Sequence, residues 1–490
     1  MSLSPDQLAR FLDVGYLTIP LELPESVHDD VFASAQAAYA APGEGEGFEA
    51  RIGRIADGGL LASCPALHQL LEAPALDGAL ASVLGERYYR HDHAFVHRAS
   101  RVDQDYHKDS HLPWSMRGAV RSHRPQWVMT FYYPQETTVE LGATRVLPGT
   151  QYWNVDHEIE GFEQGEDRLG LSDPAPQDEA PEAADARLAA RPGELDPSIA
   201  SVPLEVPKGS LLLVNFDLFH RGARRLISGD RFMVKFWYCR MLEPRSAGAI
   251  PVNSEDARRL PAIGAVASWL TGQPRVRTNP PDEDSEAGRV ASAYAAHDPV
   301  RICQDLLSEC EAVRRPAMYG ATTLGEDALE PALEATSATH WGVRKSGAFV
   351  LGELAIDTAA ARDALARLTS SDARADVRST ATVALGRIGR AGIATGDLAA
   401  LERFVDLIAP LTDSSREPDV PKRPLPGNPV RQNAALALLS LATEALEAGV
   451  DGGRLAPLAA LARAMAGRET DRYARATVEE LIRRIGISAG

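Results

Sequence analysis

Four side chains have the types and spacing of an oxidative metal centre. They are His107 and Asp109 in Tyr106-His-Lys-Asp, His220 in Leu218-Phe-His-Arg-Gly, and Arg231 in Gly229-Asp-Arg-Phe-Met-Val. Two imidazoles and one carboxylate can hold one face of a ferrous ion and leave the opposite face open for substrates and oxygen. Arg231 follows His220 by eleven residues and opens an apolar, strand-like run. Its planar fork suits bidentate binding of a carboxylate. The combination predicts iron(II)- and 2-oxoglutarate-dependent oxygenase chemistry. A bland reading of Arg231, a surface ion pair with Asp217 or Asp230, would contribute little energy.

These residues need strands to hold them. Lys208-Gly209 reads as a turn, Ser210 to Val214 as a buried strand, and His220 falls where that strand runs out. Trp127 to Tyr133 and Phe232 to Tyr238 are dense in residues that favour pleated surfaces and are expected to be strands. Between the two histidines, Glu140-Leu-Gly-Ala-Thr-Arg-Val-Leu-Pro-Gly-Thr150 reads as turn, short strand and turn.

In this order the landmarks resemble the phytanoyl-CoA dioxygenase family, over roughly the first half of the chain. The opening Leu3-Ser-Pro-Asp-Gln-Leu-Ala-Arg-Phe-Leu-Asp-Val-Gly-Tyr-Leu17 is similar to that family's first helix and strand, and Leu84-Gly85 before a tyrosine-bearing strand to its next landmark. His107-x-Asp109, Gly142 to Gly149, His220-Arg-Gly222 and Arg231 follow. The resemblance implies a double-stranded β-helix (jelly-roll) core. It implies Fe(II) on His107, Asp109 and His220, Arg231 on the distal carboxylate of 2-oxoglutarate, O2 as oxidant, and Phe131 as an aromatic wall beside the co-substrate. Halogenating relatives carry a small residue at the carboxylate position, so Asp109 disfavours halogenation. Gly222 departs from members with a hydroxyl residue there.

The chain has 490 residues and a formal net charge of −17. That length calls for more than one core. The acidic balance excludes nucleic acid as a general partner, since phosphate binding needs clustered Lys and Arg. Four cysteines without a Cys-x-x-Cys pair suggest neither a disulfide scaffold nor a structural zinc site. No signal peptide or membrane-length apolar run is visible, so a cytoplasmic location is expected.

The organisation read from the sequence is α+β and multidomain. Residues 1–250 form the oxygenase part, with an acidic, proline-rich insertion or lid at 154–200. Residues 251–300 form a linker, and 301–490 a separate all-α domain. In the last part Val343-Arg-Lys-Ser-Gly-Ala-Phe-Val-Leu-Gly352 aligns with Val377-Arg-Ser-Thr-Ala-Thr-Val-Ala-Leu-Gly386, and Val430-Arg-Gln-Asn-Ala-Ala-Leu-Ala-Leu-Leu439 follows the same rule. Such units resemble HEAT-type repeats, which stack because one unit cannot bury its own face.

For substrate contacts, a stretch rich in positive groups runs from Arg90 to Arg124 and includes His91, His93, His97, Arg98, His111, Arg121 and His123. It could focus an anionic small molecule. His97, Arg98 and Trp114 are the candidate substrate contacts. An alternative assigns the helical repeats to self-association, or to docking of a protein or carrier-bound substrate.

Overall fold

A computed structural model describes residues 2–40, 59–109, 120–153, 158, 169, 179–245, 249–252, 262–272, 298–419 and 427–488. Within them the strands are β1 (Tyr16–Ile19), β2 (Tyr89–Arg98), β3 (Trp127–Tyr133), β4 (Arg145–Val146), β5 (Val202–Pro203), β6 (Ser210–Asn215), β7 (His220–Arg221) and β8 (Phe232–Cys239). Five of them form an antiparallel sheet in the order β1-β6-β3-β8-β2, and three a small antiparallel sheet in the order β5-β4-β7.

The strands predicted from β-rich runs are present, and every residue of β3 and β8 is buried. Continuous apolar runs of this kind suit strands covered on both faces. Registry decides what shares a face. Phe95 of β2 pairs with Lys235 of β8, Lys235 with Phe131 of β3, and Phe131 with Leu212 of β6. This row crosses the large sheet and faces the small one, because the Phe131 ring lies 5.5 Å from the His220 ring of β7. On the small sheet, an isolated antiparallel bridge joins His107 to His220.

Two expectations of the sequence are corrected. The 251–300 stretch is not only a linker: Ala262–Leu270 is a helix whose Ile263 and Val266 are buried. Its apolar residues recur at helical spacing, which makes it part of the core. The 154–200 stretch is not only a loop, since Pro181–Leu195 is a helix. Most of 154–178 lies outside the described residues, so the lid expected there does too.

The helical half is not separate. One apolar core contains Phe11, Phe131 and Trp237 together with Phe349, Leu439 and Ile485. Three long helices, Trp341–Leu354, Ala375–Ala394 and Pro429–Glu447, carry the aligned repeats. Their small residues explain the pattern. A Cβ on Gly352 would meet Ala384 at 2.8 Å, and one on Gly386 would meet Ala437 at 2.7 Å. The tenth position of one unit therefore packs directly on the eighth of the next. The repeated arginine at the second position has an equally regular role: Arg344 pairs with Asp372 and Arg378 with Glu417, at 2.6 Å each, and Arg431 pairs with Glu469 at 2.9 Å.

Polar contacts then fasten these helices to the sheet. Tyr473 of the helix Arg472–Ser488 stacks on His91 of β2 at 5.1 Å, and its hydroxyl lies 2.7 Å from His93 Nδ1. Arg472 pairs with Asp92 at 2.5 Å. Glu353 reaches Arg124 at 3.1 Å and also pairs with Arg387. No helix of the described residues is long and apolar enough to cross a membrane.

Candidate metal centre

His107, Asp109 and His220 converge: one ligand atom from each lies within 4.8 Å of the others. Asp109 Oδ1 is 3.9 Å from His107 Nε2 and 3.8 Å from His220 Nε2. Ligands bonded to one ion at about 2.1 Å lie roughly 3 Å apart, so modest side-chain movement closes the set. Both rings are already oriented. His107 Nδ1 lies 2.9 Å from the carbonyl of Asp105, and His220 Nδ1 lies 3.0 Å from the carbonyl of Leu218. A carbonyl can only accept, so each Nδ1 carries the proton and each Nε2 turns its lone pair toward Asp109.

Electrostatics favour the ligand forms. Burial by itself would raise the pKa of Asp109, but the Lys235 ammonium and the two imidazoles outweigh it and hold the carboxyl far below its ordinary range. Burial first, and then Lys235, push His220 well below 6.5. The carboxylate is therefore charged and the His220 imidazole neutral near neutral pH.

Arg231 is buried, and its Nε donates to the carbonyl of Gly142 at 3.1 Å, with Nη2 donating to the same oxygen at 2.5 Å. Gly142 has φ +83°, and a Cβ there would meet the carbonyl of Ala223 at 2.6 Å, so this turn needs glycine. The bland reading of Arg231 fails. Asp217 is taken by Arg121 at 2.5 Å, and Asp230 by Arg98 and Arg225 at 2.5 and 3.2 Å. Among the described residues the guanidinium has no carboxylate partner, an arrangement that suits an incoming one. Gly222 also has a local explanation. Its N–H donates to Gln104 Oε1 at 3.0 Å, and a Cβ there would meet the same oxygen at 2.8 Å.

The substrate candidates divide. His97 turns into the site and its Nε2 is buried without a partner among the described residues. Arg98, next on the strand, turns to the other face and spends its charge on Asp230 at the surface, which corrects its assignment. Trp114 and His111 lie outside the described residues. Two further arginines of the positive stretch are likewise paired, Arg121 with Asp217 and Arg124 with Glu353.

Two residues that the sequence did not single out, Lys235 and Tyr319, and one from the positive stretch, Arg121, adjoin the centre. Lys235 donates to Asp109 Oδ2 at 2.6 Å. Arg121 ties the Asp109 backbone carbonyl, at 2.6 Å, to the Asp217 carboxylate three residues before His220. Tyr319 of the helix Glu311–Ala321 donates to the Arg121 carbonyl and stacks on His123 at 4.0 Å. A lone charge inside an apolar strand could have pointed to Lys235. Nothing local marks Tyr319 or the role of Arg121, because Tyr319 and Asp217 lie far from Arg121 in the chain.

One family of known proteins matches the part of the chain that carries this site. Residues 11–233 match the phytanoyl-CoA dioxygenase (PhyH) family. That match spans β1 through the start of β8 and contains His107, Asp109, His220 and Arg231. No curated protein matches the chain. Solved structures similar to it include SnoK, a non-heme alpha ketoglutarate-dependent carbocyclase from nogalamycin biosynthesis, at 15% identity and TM-score 0.34, over 49% of this chain and 85% of that one. HygX from Streptomyces hygroscopicus with iron bound gives 17% and 0.32, over 49% and 87%. CytC3 with Fe(II) and alpha-ketoglutarate gives 14% and 0.30, over 49% and 78%. The cofactors expected from the sequence, Fe(II), 2-oxoglutarate and O2, agree with the PhyH match and with the triad.

Proposed function

We propose that this protein is an Fe(II)/2-oxoglutarate-dependent dioxygenase that oxidises a C–H bond of a small molecule, releasing succinate and CO2. The observation that carries the reading is the convergence of His107, Asp109 and His220 with both Nε2 atoms facing the carboxylate. In this reading the three residues hold iron, which supplies the oxidising chemistry when bound. Arg231 holds the distal carboxylate of 2-oxoglutarate, and Phe131, wholly buried beside His220, excludes water from the co-substrate. His97 faces the substrate. The two sheets are the two faces of a jelly roll, at residues 1–250, and residues 301–490 are a HEAT-like stack. The docked helices favour a role in shaping the pocket over recruitment of a separate partner. A cytoplasmic place in bacterial specialised metabolism completes the reading.

The test is conversion of 2-oxoglutarate to succinate by the Fe(II)-loaded full chain across a metabolite panel, with product masses measured. A gain of one oxygen indicates hydroxylation or epoxidation, and a loss of two hydrogens indicates desaturation or ring closure. A protein that, with iron, neither binds nor decarboxylates 2-oxoglutarate rules the reading out.

A further inference from the structure

Lys235 is one of five lysines in the chain and the sole charged residue of β8. It is 4% exposed. Burying an ammonium is costly without an anionic partner. Among the described residues Lys235 pairs with one carboxylate, Asp109, through Oδ2 at 2.6 Å. Its Nζ is also 3.4 Å from His220 Nε2 and 5.0 Å from the Phe131 ring centre. The ammonium therefore stands beside the metal ligands, on the face of the sheet that carries Phe95 and Phe131.

We propose that Lys235, with His97 beside it, forms a carboxylate-binding subsite on the open side of the metal centre. The proposal rests on the oxygenase reading and adds the chemical class of the group that meets the metal centre.

Two independent observations support it. The first is charge. A ferrous ion would share Asp109 and leave the Lys235 ammonium short of a counter-charge. Together the ion, Asp109, Lys235 and Arg231 carry an excess of three positive charges, of which doubly charged 2-oxoglutarate offsets two. A monoanion beside Lys235 completes the balance in a buried, aromatic setting. The second is unsatisfied polarity. His97 Nε2 and Trp237 Nε1 are buried and without partners among the described residues. His97 pairs in register with Met233, and Trp237 follows Lys235 by two on the same face, so the two flank Lys235 along the strand. Lys235 is also the charge that His97 feels most strongly. Buried polar atoms of this kind call for a ligand with several acceptor oxygens. The carboxylate has two sources, the primary substrate or the metal-proximal end of 2-oxoglutarate, and the charge balance favours the substrate.

The test uses the full chain, wild type and Lys235→Met and Lys235→Arg, under anaerobic conditions. Mn(II) binding is measured first. It should be unchanged or tighter in Lys235→Met, because a competitor for Asp109 is gone. Loss of Mn(II) binding would make Lys235 a support of Asp109 and overturn the proposal. The Fe(II) proteins are then titrated with 2-oxoglutarate and with pyruvate, a 2-oxo acid lacking the distal carboxylate, following charge-transfer absorbance. Equal tenfold or larger losses for both acids in Lys235→Met, partly restored in Lys235→Arg, assign the subsite to the co-substrate. Unchanged affinities, with succinate formation after oxygen is admitted stimulated by carboxylic acids over their amides only in wild type and Lys235→Arg, assign it to the substrate. Unchanged affinities and equal responses to acids and amides overturn it. A wild-type protein that binds Mn(II) but no 2-oxo acid defeats the oxygenase reading itself, and the subsite with it.

Discussion

The hydroxyl of Tyr319 donates to the backbone carbonyl of Arg121 at 2.8 Å, and the guanidinium of Arg121 donates in turn to the backbone carbonyl of Asp109 at 2.6 Å. A helix of the C-terminal half thus stands two hydrogen bonds behind a proposed metal ligand. Tyr319 is 2% exposed, so its removal leaves a buried carbonyl unpaired. Tyr319→Phe should keep the stack on His123, cost about 1 kcal/mol of stability, and weaken Mn(II) binding several-fold. Denaturant unfolding and metal titration on the full chain check both. Lower stability with unchanged Mn(II) affinity would confine Tyr319 to holding the halves together.

Glu353 offers a harsher test of the same interface. It is 4% exposed and lies between Arg124 of the sheet half and Arg387 of the helical half. Removing one charge from a buried pair costs roughly 3–5 kcal/mol, because the remaining charge loses its partner. Glu353→Gln should therefore lower the unfolding midpoint of the whole chain in one cooperative transition. Two separated transitions in the variant would show that the halves fold independently.

How much of this was legible in the sequence depends on the range of the contacts. His107, Asp109 and His220 were visible because the first two share a His-x-Asp motif and the third follows a readable strand, although that strand ends at Asn215 and His220 opens β7 of the other sheet. Arg231 followed from its fixed offset. The helical repeats were visible because Val343, Val377 and Val430 start matching units. The fusion of the halves was not visible, since Tyr473 with His93 and Tyr319 with Arg121 are pairings across hundreds of residues. Arg98 was misassigned for a different reason. A cluster of positive residues gives no sign of which ones already have acidic partners, and the strand's alternation turned Arg98 out to Asp230.

Acid should destabilise the metal-free protein well above the carboxylate range. Burial pushes His91 and His123 down to about 3 from 6.5. In the unfolded chain these rings accept protons below 6.5, whereas in the folded chain they do not. Their stabilising contribution is complete above that value and is lost as pH falls toward 3. By pH 5 the loss is on the order of 2 kcal/mol for each ring. Urea unfolding at pH 7, 6 and 5, with chelator present, should show stability falling across this series. His123→Phe should flatten the trend, and an identical slope in that variant would refute the assignment.

Arg231 provides the sharpest separation between co-substrate and substrate. Its guanidinium is buried, bonded to the Gly142 carbonyl, and has no carboxylate partner among the described residues. A charge-assisted bidentate pair of this kind contributes about 1.5–3 kcal/mol. Arg231→Ala should therefore raise the Kd for 2-oxoglutarate roughly ten- to a hundredfold, while pyruvate, which lacks the distal carboxylate, binds as it does to the wild type. Arg231→Lys should recover only part of the loss, because a point charge cannot reproduce the fork. Calorimetric titration of both acids into the Mn(II)-loaded, oxygen-free proteins measures this directly. If Arg231→Ala weakened the two acids equally, the guanidinium would be acting on the metal end of the ligand or on the fold, and its role as the distal-carboxylate clamp would be abandoned.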